Sequence, residues 1–589
     1  FRRVLFRSLK SSHAQTGYDY HLFGYPVLSR AVFENIEREQ NTLPIFMMLM
    51  VFSLMFLLYR NFYLSIVPIL LLGVVFVCVL GVLGFFGINL NWLTSIVPAV
   101  IMIVSICDAI HVINDYKKIP FELPTIERVQ LLFKNLGVPC LITSITTMIG
   151  FASLIAVPIR PLKEFGLYVA FGTVVAFVFS FTILLLLLVY GPKKSLQKPQ
   201  RDFKWIKKLL GFCFILVTNY PKRIILTSLL LVAISIVGIF KLTVNQQSFG
   251  HLKFDQYGLV EANKFIDKGV GGGSECYIFI DAEKPGFFYE PKNLKNIEAF
   301  QKAAVKRATP YVTMTITIVD LIKYMNQKLN NGDEAFYKIP DTRKEVANIL
   351  LLLEIEKDRV GLDTVVNEDY SQTRLRFFTS ITPTNQDVLR LDRLTQKTLG
   401  EFFPHITKKN FTGRPFINAR MIDLLPKAMV RSVGIALIII SLFMILLYRS
   451  VYVGLISMIP NIAPIVLIMG FMGFADIWVN LATSMVFAVA LGIAVDDSIH
   501  LIWAMQKNVG KGLSYPDALK QSFADAGVPI TISTIVLSSG FLMLNFSSVW
   551  PTTSFGNLVA LCCVIALLAD LLLTPALLLV FKPFRVKKT

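Results

Sequence analysis

Ala494-Val495-Asp496-Asp497-Ser498-Ile499-His500 sets two carboxylates and an imidazole in the later part of a long apolar run. A carboxylate is expensive to bury in hydrocarbon and is rarely kept there without a use. A near copy, Ser105-Ile106-Cys107-Asp108-Ala109-Ile110-His111, stands in the same setting earlier in the chain. The match extends outward from both. At a constant offset of 389, Gly24 pairs with Gly413, Pro26 with Pro415, Tyr59-Arg60 with Tyr448-Arg449, Asn91 with Asn480, and Asp108 with Asp497. After one inserted residue the offset is 390, and Gly137-Val138-Pro139 pairs with Gly527-Val528-Pro529, Gly150-Phe151 with Gly540-Phe541, and Phe165-Gly166 with Phe555-Gly556. The chain reads as an internally duplicated membrane bundle with an acid repeated in each half, a plan common among transporters.

Composition agrees. Of 589 residues, 54% are hydrophobic and only 16% charged, where a soluble protein carries about a quarter charged. The net charge of +19 invites a nucleic-acid reading, but its distribution excludes one. Nine Lys or Arg against the single acid Asp202 crowd between Gly191 and Arg223, and more basic residues follow Phe581. Basic residues concentrated in short loops mark the cytoplasmic side of a membrane. Six of the seven cysteines lie in or beside apolar runs, and none has disulfide-framework or metal-type spacing.

Apolar runs long enough to span about 30 Å of hydrocarbon fall near 43–59, 64–86, 93–115, 138–157, 165–190, 223–241, 429–448, 452–473, 478–503, 528–546 and 554–581. The predicted fold is a polytopic α-helical membrane protein with duplicated six-helix halves, eleven spans being present, and an α/β extracytoplasmic porter-like domain. Residues 1–42 read as the remnant of a first extracytoplasmic domain, and 43–190 as a first bundle of five spans. A basic cytoplasmic linker (191–222) leads to the first helix of the second half (223–242). The extracytoplasmic α/β domain (243–428), a second five-span bundle (429–581) and a basic cytoplasmic tail (582–589) follow. Because the first half starts inside the end of its soluble domain, without Met, the chain is expected to be truncated at its N-terminus.

Within 243–428, strands are predicted at Cys276–Asp281, Tyr311–Ile318 and Arg374–Ile381. Helices are predicted at Val260–Lys268, Lys292–Lys306, Thr342–Glu354 and Gln386–Phe402, and the alternation suggests split βαβ units. Lys268-Gly269-Val270-Gly271-Gly272-Gly273 precedes a strand rather than opening a helix, so it reads as a turn and not a phosphate loop. Asp202–Phe214, with Trp205 and three lysines, resembles an interfacial amphipathic helix.

Asp108 and His111 are three apart, as are Asp497 and His500, so each pair shares one helix face. If the two helices meet at the pseudo-twofold axis, the four groups converge, and Asp108 and Asp497 face each other as a proton-coupling pair. Asp496 points about 100° away from Asp497 around the helix and has Cys107 as its counterpart, which makes Asp497 the stronger candidate. The competing reading makes the acids structural groups near the helix ends, since Asp108 lies roughly 23 Å into its span at 1.5 Å per residue. The next helix of each half carries hydroxyls. Thr143 and Ser144 correspond to Ser533 and Thr534 and are candidates for a proton or water relay, although membrane hydroxyls often bond their own helix. Pro98, Pro139, Pro464, Pro529 and Pro575 are candidate hinges. No nucleotide-binding loop or hydrolytic motif is present, so an enzyme, a cofactor or a resident metal is not expected.

Gly492-Ile493-Ala494-Val495-Asp496-Asp497-Ser498-Ile499-His500 and Ile142-Thr143-Ser144-Ile145-Thr146-Thr147 with Gly150-Phe151 resemble the MmpL-type branch of the resistance–nodulation–division (RND) superfamily, whose five-helix unit is shared with sterol-sensing domains. The resemblance implies a multi-pass protein of the cell (inner) membrane. It also implies a secondary exporter of lipids or other hydrophobic molecules, driven by protons or alternatively sodium, and leaves homo-oligomer formation open. By motif the coupling acids carry over onto Asp108 and Asp497. The Asp-Tyr pair of some members is absent here, where Asp108-Ala109 and Asp497-Ser498 stand. The alternatives are a non-transporting lipid or sterol sensor and a protein-translocation aid of the SecDF kind.

Overall fold

Residues 24–88, 91–197, 203–245, 253, 258–269, 272–309, 311–356, 361–379 and 385–584 are described by a computed structural model. Most of the expected N-terminal remnant (1–23), part of the basic linker (198–202), Val270-Gly271 of the glycine turn, the end of the third predicted strand and most of the tail (585–589) lie outside the described residues. The chain packs as two compact units, one built on Phe254–Asp423 and the other on Val32–Val244 with Leu424–Thr589.

Among the described residues of the first unit is a four-stranded sheet of β1 (Ser274–Asp281), β2 (Val312–Ile316), β3 (Gln372–Thr379) and β4 (Lys408–Gly413). The order is β2-β3-β1-β4 with every pairing antiparallel. Helices Pro291–Ala308 and Asn385–Phe402 cross between β1 and β2 and between β3 and β4. This is the split βαβ topology the alternation suggested. Strict inside–outside alternation along β3 buries Thr373, Leu375, Phe377 and Thr379. Phe300 of the first crossing helix packs edge-on to Phe377 at 6.3 Å. Two elements escaped the sequence reading. Strand β4, Lys-Lys-Asn-Phe-Thr-Gly, is an edge strand with only Phe411 and Gly413 buried, so it lacks an apolar signature. Helix Ile318–Leu329 was predicted to begin as strand. Thr317 and Asp320 form a reciprocal capping box there, with Asp320 Oδ2 accepting from Thr317 N at 2.8 Å. Burial pushes the Cys276 thiol on β1 up to about 12.

In the second unit, eleven helices among the described residues are long and apolar enough to span a membrane. They are α1 (Pro26–Tyr59), α2 (Phe62–Phe85), α3 (Thr94–Lys118), α4 (Thr125–Ala156), α5 (Arg160–Val189), α6 (Pro221–Ile239), α7 (Arg414–Tyr448), α8 (Val451–Phe474), α9 (Leu481–Gly510), α10 (Tyr515–Phe546) and α11 (Trp550–Phe581). Helices α1 and α7 start well before their apolar runs. The boundaries between the compact units fall at Ala31/Val32, inside α1, and at Asp423/Leu424, where a turn joins helix Arg414–Asp423 to helix Leu425–Tyr448. Hydropathy marks only the apolar length of a helix, whereas backbone hydrogen bonding continues through the polar turns before it. The predicted interfacial segment is helix Lys204–Asn219, which buries Ile206, Leu210, Cys213 and Val217 along one stripe and exposes Trp205 and Phe212.

The repeat is visible atom by atom. Asn91 Oδ1 accepts from Leu93 N and Thr94 N, both at 2.9 Å, and Asn480 Oδ1 accepts from Ala482 N and Thr483 N at the same distance. These are equivalent side-chain caps on the two acid-bearing helices. Arg60 and Arg449 both adopt left-handed backbone, with φ of 47° and 50°, at the ends of α1 and α7. Wide π-helical turns occupy Phe133–Gly137 and Phe523–Gly527, just before Pro139 and Pro529. A proline has no N–H to give the carbonyl four residues back and clashes with it, so the turn widens. Helices α3 and α9 form the centre, with 94% and 89% of their apolar windows buried. Helix α4 crosses α9 where Gly150 meets Gly492; a Cβ on Gly150 would lie 2.7 Å from Gly492 Cα.

Two measurements check this packing. Gly150→Val should lower stability by about 1–3 kcal/mol through overpacking, read as a fall in melting temperature of the purified protein; an unchanged value contradicts the close crossing. Cys276 should resist maleimide at neutral pH in the folded chain and react after denaturation. Rapid labelling under native conditions contradicts its burial.

Candidate functional site

The duplicated acids sit on the two innermost helices, and each is answered by the next helix of its own half. Asp108 is 8% exposed, and Ser144 on α4 donates to its Oδ2 at 3.4 Å. Asp497 is 7% exposed, and α10 supplies two donors, Ser533 to Oδ1 at 3.2 Å and Thr534 to Oδ2 at 2.9 Å. Ser144 and Thr534, equivalent in the repeat, therefore do equivalent things. Ser533 and Thr143 differ. Thr143 bonds the Cys140 carbonyl at 3.0 Å and lies beside Asp496. Hydroxyl partners keep a buried carboxylate's lone pairs satisfied where water is scarce.

The expected face-to-face pairing of Asp108 with Asp497 is replaced by another arrangement. Asp108 shares a cavity with Asp496, Cys107, Thr143, Ser144 and Thr147, whereas Asp497 lines a separate one with Thr534, Cys562 and Cys563. The space open to a water centre is about 20 Å³ in the first and 10 Å³ in the second, room for about one water each. The residues that meet across the two halves are the histidines. The rings of His111 and His500 stack at 4.4 Å and 19°. Asp496, one turn before His500 on α9, places Oδ1 3.5 Å from its Nε2. The angular separation of Asp496 from Asp497 decides this: when Asp497 turns to α10, its neighbour turns to the first half.

A further acid went unnoticed in the sequence. Asp570 on α11 is 1% exposed and begins the second residue of a π-helical turn, Ala569–Leu573. It accepts from Ser498 Oγ in a short hydrogen bond and from Thr574 Oγ1 at 3.1 Å, and Ser498 Oγ also lies 3.0 Å from Asn461 Oδ1. The signal that finds it is the one that found Asp497, a lone carboxylate in an apolar run. Its partner in the repeat is Ser180, so the duplication offered no pointer. Glu39 on α1 was also missed. It accepts from Ser547 Oγ at 2.8 Å and Ser548 N at 2.6 Å, tying α1 to the turn between α10 and α11.

This fold and site define a duplicated, multi-pass membrane protein with ionisable groups enclosed at its centre. Residues 58–208 match the sterol-sensing domain model of SREBP cleavage-activation, and residues 394–589 match the MMPL family model. A putative membrane protein of Methanocaldococcus jannaschii is 24% identical over 292 residues, covering 49% of this chain and 71% of that relative. The crystal structure of SecDF, a translocon-associated membrane protein from Thermus thermophilus, shares the fold with a TM-score of 0.55 at 14% identity. The likeness covers 94% of this chain, which spans 63% of that structure's length. Each half of the chain therefore matches a membrane-protein family model, the first the sterol-sensing domain and the second the MMPL family, on a fold similar to that of SecDF.

The Ser498 network yields a prediction. Ser498→Ala removes the donor that Asp570 and Asn461 share, and a buried acceptor left without a partner costs about 1–3 kcal/mol. The melting temperature should fall, and a value equal to wild type contradicts the network.

Proposed function

We propose that the protein is a secondary active exporter of lipids or other hydrophobic molecules, driven by the proton gradient across the cell (inner) membrane. The MMPL match over residues 394–589 supports a transporter reading. The observation that carries the finer reading is the enclosure of Asp108 and Asp497 at the centre of the bundle, each held by hydroxyls of the adjoining helix. A carboxylate in such a place is stable as a neutral acid and becomes stable as an anion once water or a cation reaches it. Taking up and releasing a proton can therefore favour one packing of the two halves over the other. Asp496, His111 and His500 extend the titratable set from Asp108 towards the second half, and Ser144, Ser533, Thr534 and Thr143 are the relay. Acids facing lipid would favour a sensor; their burial among helices favours transport.

In this reading the basic linker 191–222 and the C-terminus are cytoplasmic, and the 243–428 domain is extracytoplasmic, where it receives or hands on substrate. The cargo is to be identified by mass spectrometry of co-purified lipid and then followed in proteoliposomes carrying a pH gradient. Export should require the gradient and stop with a protonophore. Asp108→Asn and, separately, Asp497→Asn should abolish it while each variant still inserts and purifies as a folded protein. Unchanged export in both variants removes the coupling role.

A further inference from the structure

We propose that His111, Asp496 and His500 form a site for one divalent transition-metal ion of the zinc, cobalt or nickel type, held between the two repeats of the bundle. One ligand atom from each of the three lies within 4.8 Å of the others. His111 Nε2, His500 Nε2 and Asp496 Oδ1 are all buried and lack a hydrogen-bond partner. Native interiors pair such atoms, and a converging set left unpaired calls for an explanation. A shared cation is one that answers all three at once.

The donor set decides the kind of ion. Two imidazole nitrogens and one carboxylate oxygen suit zinc and its neighbours, whereas sodium, magnesium and calcium require oxygen-rich shells. The geometry is compatible with chelation. Asp496 and His500 are four apart on α9 and so share a face, and their Nε2 and Oδ1 are already 3.5 Å apart. His111 approaches from α3 with its ring stacked on that of His500, and a turn of one ring about its side-chain torsions brings both in-plane Nε2 lone pairs to a shared ion. The supporting helices are the two most enclosed of the eleven spans, so packing fixes the backbones that carry the ligands. Charge also fits: Asp496 supplies one negative group, and Asp108 lines the cavity that Asp496 enters. Three protein ligands leave a coordination position free.

Because His111 comes from the first repeat and the other two ligands from the second, a bound ion would pin α3 to α9. Any working motion that separates those helices would then be blocked. The binding site itself does not depend on the export reading, and its test requires no transport.

The full chain, purified in detergent and stripped with a chelator, is titrated with Co²⁺ and followed by visible absorption. The expected result is saturable uptake of one equivalent with the intense bands of a low-coordinate nitrogen–oxygen site, bleached by added Zn²⁺. Loss of even an outer-shell group costs 10–100-fold in metal affinity, so His111→Gln and Asp496→Asn should each weaken Co²⁺ binding by about 100-fold or more. The wild-type titration needs no variant to be decisive: absence of a saturable equivalent overturns the site, and so does a proton-only role for the cluster, which gives that same result. Uptake that persists unchanged in both variants places the ion elsewhere and also overturns it.

Discussion

A carboxylate enclosed in hydrocarbon must be surrounded by groups that answer its charge or its lone pairs, and that requirement organises this bundle. Asp108 and Asp497 lie on the two most enclosed helices. The helices that follow them, α4 and α10, bring Ser144, Ser533 and Thr534 into hydrogen-bonding reach. Those helices are in turn held close by crossings that tolerate no side chain, Gly150 against Gly492, Gly166 against Phe151 and Gly556 against Phe541 among them. Thr147 Oγ1 reinforces the first by donating to the Gly492 carbonyl at 3.0 Å. Small residues at helix contacts and hydroxyls that bridge them serve the same end in membranes generally. Packing and chemistry here are one problem, because the atoms that satisfy the acids also set how near the helices come.

Duplication explains most of the architecture, and its exceptions locate the functional asymmetry. The side-chain caps at Asn91 and Asn480, the left-handed Arg60 and Arg449, and the π turns before Pro139 and Pro529 repeat faithfully. Some of the differences between the halves are ionisable. Asp496 stands opposite Cys107, and Asp570 opposite Ser180. Glu39 of the first half stands opposite Ala428, so unmatched acids fall at different places in the two halves and charge is distributed unevenly about a nearly symmetric frame. Two halves of like shape and unlike charge respond differently to a proton or a cation, as a device with two unequal states requires.

Much of the fold was legible in one chain without an alignment, since the repeat acts as an internal comparison. Each pair singled out by the constant offset puts one residue in each half, and the eleven apolar runs correspond to eleven helices among the described residues. The reading weakened where that comparison was silent. Asp570 has no acidic counterpart. Strand β4 at the sheet edge has too few buried positions to show alternation. Helices α1 and α7 run past the ends of their apolar windows. Each of these needed a signal of its own, and only Asp570 possessed one.

Sequence alone determined the membrane class, the duplication, the hydroxyl-bearing helix after each acid and the set of residues worth watching. All of these follow from local spacing and the high cost of burying polar groups. Tertiary structure alone decided who meets whom. Asp496, not Asp497, is turned towards the first half, His111 stacks on His500, and Asp108 and Asp497 occupy separate cavities. Spacing along a helix defines a face but not the element it meets. That depends on how far the helices rotate and slide before their glycines and side chains interlock, which is a property of the assembled bundle.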